Sequence, residues 1–127
     1  MLSFLHRYPV SVWPLFIVML ALLLNAGGED ITRVLRFEHQ AIANGEFWRL
    51  FSAHFVHLGW AHALLNCGGL LLVAWMQPKG EVWRWWAFYL ISALCISIAM
   101  YIDGDVSSYV GASGVLHGLL ILAAFLS

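Results

Sequence analysis

Charge is scarce in this 127-residue chain. Asp, Glu, Lys and Arg make up 10% of it and hydrophobic residues 62%, where ordinary soluble domains carry about 25% charged residues. So few charges cannot cover a surface in water, so much of the chain must be solvated by lipid. The net charge of -1 gives no reason to expect a nucleic-acid partner. Cysteine is limited to Cys67 and Cys95, both inside apolar runs. They are expected to be small buried residues rather than a disulfide, and no Cys/His zinc spacing accompanies them. There is no His-Glu-x-x-His, which argues against a membrane zinc protease. The apolar runs hold no Asp or Glu, which argues against an aspartyl one. Repeats and low-complexity tracts are absent, and the length suits one domain.

What is present is four apolar stretches, at about 10–26, 61–76, 82–102 and 112–127. Each approaches the ~17–25 residues a helix needs to cross a bilayer. The expectation is an all-α membrane protein with four spans and an outer loop over 27–60. The first stretch is expected to remain as an anchor, because its apolar core is long for a cleaved leader and three more spans follow. His6 and Arg7 flank the first span, and Lys79 and Arg84 flank the turn before the third. With alternating spans these lie on one side, which places the N-terminus in the cytoplasm. Trp48, Trp60, Trp75, Trp83, Trp85 and Trp86 fall near span ends, as an interfacial aromatic belt would.

Polar side chains inside spans are costly, so each is a functional candidate. Ser113 stands in Gly111-Ala112-Ser113-Gly114, where a polar loop turns into an apolar helix. Unpaired backbone N–H groups and the positive end of a helix dipole there would stabilise an oxyanion formed in acyl transfer. A plain helix-capping serine fits the same position. His62 and Asn66, at i and i+4, share one helix face and could aim two N–H donors at one point. A polar pair joining helices fits equally. Gly114 and Gly118 admit a close neighbouring helix, whether it carries a base or only packs. His117, one turn after Ser113, is a weak candidate base, since an i+4 pair is not easily oriented by a third group. His54 and His57 suit local hydrogen bonding better than metal or haem, because with His62 they do not share one helical face. No cofactor or metal is expected.

Together Trp48-Arg49, His57, His62-x-x-x-Asn66 and Gly111-x-Ser113-Gly114 resemble the rhomboid family of intramembrane serine proteases, in its order and approximate spacing over about 45–127. Gly-x-Ser-Gly-x-x-His-Gly at 111–118 and the stretch 35–51 are similar to the rhombosortase branch; many other rhomboids have an aromatic residue where His117 stands. The resemblance implies a rhomboid-like helical bundle with Ser113 as nucleophile. His62, Asn66 and the Ser113 N–H would form an oxyanion hole, and His57 and Arg49 would be structural. It also implies no cofactor and membrane-anchored protein substrates bearing a Gly-Gly sorting tail. The implied location is the inner membrane of a Gram-negative bacterium.

The chain departs from the family at one point. Rhomboids have six core spans with the general base, a His, on the sixth, whereas this sequence ends in the fourth. The base is therefore expected beyond Ser127, and the chain reads as the N-terminal part of a protease. The competing expectations are a non-catalytic membrane module that holds client helices, or an inactive fragment. A His-rich haem or metal protein is a third.

Overall fold

A computed structural model describes residues 12–76 and 82–126. The expected basic flanks His6, Arg7 and Lys79, and Ser127, lie outside the described residues. The elements run α1 (Val12–Ala26), α2 (Gly28–Leu35), β1 (Phe37–Glu38), α3 (His39–Ala43), α4 (Arg49–Ser52), α5 (Gly59–Met76), α6 (Val82–Asp103), β2 (Ser108–Tyr109) and α7 (Ser113–Leu126).

By length and composition α5 and α6 can each cross a membrane. The fourfold expectation is met only in part. α1 qualifies together with α2 as one broken or re-entrant unit bent by 118°, and α7 is a shorter apolar helix of 14 residues. The bend falls at Gly27-Gly28, where Gly28 takes φ +75°, a left-handed value that a side chain would resist. Past it, Glu29 and Asp30 sit in the first turn of α2 and Arg33 in its last, matching the helix dipole.

The segment expected as an outer loop is built rather than loose. A helix leaves its last carbonyls without partners, and residues 48–52 supply donors to four of them around the end of α2. Arg49 Nη1 donates to the Arg33 and Arg36 carbonyls at 2.8 and 2.9 Å. Trp48 Nε1 donates to Val34 at 3.3 Å and Ser52 Oγ to Leu35 at 2.6 Å. Arg49 also pairs with Glu46. β1 then pairs antiparallel with β2, Phe37 opposite Tyr109 and Glu38 opposite Ser108, which ties this segment to the approach to α7.

In the bundle α1 packs on α5, α5 on α7, and α7 on α6. Trp13, Ile17, Leu70, Val73, Tyr89, Val115 and Leu119 form its core. Two expectations are corrected here. Trp85 is no belt residue: it is 6% exposed and stacks on Trp13 with ring centroids 6.3 Å apart. Helix periodicity turns it inward while Trp83 stays outside. Cys95 is exposed rather than buried, and both cysteines are free. Its apolar run hid the fact that it lies on the outer face of α6. The exposed residues Phe16, Leu65, Leu72, Ile91 and Phe125 give the bundle an apolar exterior, as lipid contact requires.

Candidate active site

Ser113 is the first residue of α7. The Leu116 N–H bonds to the Ala112 carbonyl at 2.8 Å, so Ala112, not Ser113, occupies the capping position. The serine hydroxyl is therefore not spent on capping. It lies 3.4 Å from the Tyr109 hydroxyl, and the N–H groups of the first turn stay free of intrahelical partners.

The turn before it depends on Gly111. This residue has φ +112°, and its N–H bonds to the Ala53 carbonyl at 2.8 Å. A Cβ here would stand 2.7 Å from His62 Cε1 and 2.9 Å from Nε2. The imidazole of His62 thus presses directly on the Gly-x-Ser-Gly turn. Its other nitrogen, Nδ1, accepts the Leu58 N–H at 3.3 Å. In the neutral ring the proton is then on Nε2, the nitrogen beside Gly111, where it can be donated.

Asn66 is buried one turn further along α5. Its Nδ2 donates to the His62 carbonyl at 2.9 Å, while its Oδ1 has no partner among the described residues. One amide proton is committed and the second is available. Deeper still, Gly69 lets Leu116 of α7 into the space a side chain would fill, which brings α5 and α7 together along this face. The structure therefore gathers His62 and the turn carrying Ser113 into contact, with Asn66 adjoining. No hydrogen bond joins Ser113 Oγ to His62, Asn66 or His117 among the described residues.

His117 is placed differently from what a base requires. Its Nδ1–H donates to the Ser113 carbonyl at 2.6 Å, so the exposed ring is held to its own helix rather than to the hydroxyl. Gly114 and Gly118 face α6, where added Cβ atoms would meet Ile96 at 3.1 Å and Phe88 at 3.3 Å. Their close neighbour offers apolar side chains at those contacts, not a base.

Two further histidines line the seam between the outer segment and the bundle. His57 accepts the Ala112 N–H at Nε2 over a long 3.5 Å, and its ring lies 5.0 Å from that of His62. Burial, and secondarily the neighbouring His62, lowers its pKa to about 4. Its Nδ1 has no hydrogen-bond partner in good geometry, although the Phe55 carbonyl lies near enough to favour the charged form. His54 is fully buried and donates from Nε2 to Ser97 Oγ at 2.9 Å; Ser97 in turn donates to the Leu50 carbonyl at 2.7 Å. Burial lowers its pKa to about 4 as well. Ser97, Tyr89 (which donates to the His54 carbonyl at 2.9 Å) and Tyr109 were not singled out from sequence. For Ser97 and Tyr89 the signal was available: polar groups inside an apolar run. Among the described residues no cluster of His, Cys, Asp or Glu could hold a metal ion.

A cavity of about 540 Å³ opens between the α1–α2 bend and the start of α5, lined by Asn25, Thr32, Arg33, Arg36, His57 and Trp60 among others. Ser113, His62 and Asn66 do not line it; it adjoins the candidate site through His57, which packs on His62.

The rhomboid domain family matches residues 44–127, well over half the chain. RHOMBOID-like protein 4 of Arabidopsis thaliana is 35% identical over 97 residues, 74% of this chain and 22% of that protein. Rhomboid protease GluP of Bacillus subtilis (strain 168) is 33% identical over 104 residues, 76% of this chain and 20% of GluP. YdcA of the same strain is 32% identical over 88 residues, 67% of this chain and 44% of YdcA. The chain thus spans less than half the length of these curated relatives. No solved structure matches it significantly. With its apolar helices and the family match taken together, the chain is a multi-pass membrane protein and belongs to the rhomboid family.

Proposed function

We propose that this chain carries the nucleophile and oxyanion hole of an intramembrane serine protease. The observation that supports it best is the contact of His62 with Gly111, which sets a tautomer-defined Nε2–H beside the turn that presents Ser113. In this reading Ser113 Oγ attacks a peptide carbonyl of a membrane-anchored protein. The carbonyl oxygen becomes an oxyanion held by His62 Nε2–H, the free Asn66 amide proton and the Ser113 N–H. The amine leaves with a proton, and water then hydrolyses the acyl-enzyme. By the family's pattern the general base is a His on a later span. The similarity to the rhombosortase branch extends the reading to substrates with a Gly-Gly sorting tail and to a bacterial inner membrane, and the basic residues flanking the spans add an N-terminus in the cytoplasm.

A second reading, a non-catalytic module that holds client helices, draws on the absence of any base contacting Ser113 Oγ among the described residues. A fluorophosphonate probe separates the two. The full-length protein should be labelled, and Ser113→Ala should abolish labelling. Client capture unchanged by Ser113→Ala, with no labelling of the full-length protein, would sink the protease reading.

A further inference from the structure

We infer that Tyr109 is a positioning residue for the Ser113 hydroxyl, donating its phenol hydrogen bond to Oγ; this rests on the reading of Ser113 as nucleophile. The hydroxyls lie 3.4 Å apart, long for an O–H···O bond, as catalytic contacts often are before substrate tightens them. The phenol is not there by chance of a flexible side chain. Tyr109 belongs to β2, where it pairs with the fully buried Phe37 of β1, and its ring packs on that of the buried His54 at 5.7 Å. The backbone ribbon fixes one end of the side chain and the His54 ring fixes its flank. Its hydroxyl also stands 3.7 Å from the place a Gly114 Cβ would occupy, an ordinary contact distance that puts the phenol against the first turn of α7.

The direction of the bond follows from what the reaction needs. Ser113 has one proton and two lone pairs. Were it to donate to Tyr109, its proton would point away from any base that must remove it. With the phenol donating, one lone pair is occupied, the proton remains free for the base, and the other lone pair faces the carbonyl under attack. As the serine proton departs, Oγ becomes a stronger acceptor and the phenol bond strengthens, so the contact favours the attacking state over the resting one.

The test uses the full-length protein and fluorophosphonate inactivation kinetics. Tyr109→Phe removes the hydroxyl and keeps the ring against His54. It should lower kinact about 10-fold with KI and melting temperature unchanged, the effect of one modest hydrogen bond felt in the transition state only. A purely structural role would instead move KI and the melting temperature. Placing 3-fluorotyrosine at 109, a stronger donor of nearly equal size, should raise kinact. An unchanged kinact in Tyr109→Phe, or a slower one with fluorotyrosine, overturns the inference while leaving the nucleophile reading intact. Absence of Ser113-dependent labelling in the unmodified protein removes both.

Discussion

The end of α2 and the start of α7 satisfy their backbones in opposite ways. Around α2, four consecutive carbonyls receive side-chain donors from Trp48, Arg49 and Ser52. Around α7, the first-turn N–H groups lack intrahelical partners, and Asn66 Oδ1 and the Nδ1 atoms of His54 and His57 are buried without a hydrogen bond in good geometry among the described residues. A buried polar group that is paired holds a fold together, whereas one left unpaired costs stability. The saturated region is architecture. The unsaturated one carries a cost; of its open groups only the helix N–H groups are donors that an anion could meet, whereas Asn66 Oδ1 is an acceptor that an oxyanion leaves unpaired.

Acid should strain the unsaturated seam most. Burial holds the imidazoles of His54 and His57 down at about 4, below the ordinary 6.5 of a free side chain. Between those values the unfolded chain binds protons that the folded chain refuses. Stability is therefore full above pH 6.5 and falls as pH drops, with the loss complete near pH 4. The expected loss is on the order of 3 kcal/mol for each histidine. Thermal melts followed by intrinsic tryptophan fluorescence, which needs no thiolate, would measure it. Melting temperatures that stay level from pH 7 to pH 4 would refute the assignment.

Next in size is a break in the saturated region. Arg49→Ala should cost about 3 kcal/mol, because it strands carbonyls of α2 and the Glu46 carboxylate together. Arg49→Lys should recover only part, since an ammonium cannot reproduce the spread of guanidinium donors. The same melt reads both.

Smallest in stability, and the sharpest for the comparison, is Asn66→Ala. It deletes an orphaned acceptor along with one hydrogen bond, so the melt should shift by less than about 1 kcal/mol. Probe acylation of Ser113 should nevertheless slow about 100-fold, the scale of one lost oxyanion donor. A large stability loss with parallel loss of labelling would make Asn66 architecture like Arg49.

The candidate site was more legible in the sequence than the scaffold around it. Ser113, His62 and Asn66 stand out because a polar group in an apolar run must be explained, and helical spacing alone places His62 and Asn66 on one face. The four-span count was less secure: a glycine pair that bends α1 into α2 looks, in a hydropathy pattern, like the simple end of a span. Gly114 and Gly118 announced a close approach without naming the helix that makes it, since small residues carry no partner label. The part played by Tyr109 depends on a two-residue ribbon whose halves are some seventy positions apart in sequence, a pairing that no local pattern records. The tautomer of His62 turns on a backbone N–H from Leu58, equally invisible in side-chain types.

Position 111 illustrates how tightly such a site can be locked. Its left-handed backbone and the imidazole pressed against it refuse a side chain for independent reasons. Shrinking His62 would clear the collision yet leave the backbone strained, and a relaxed backbone would still meet the ring. No single compensating substitution can therefore rescue an alanine there, so the residue is closed to gradual drift for as long as the turn is kept.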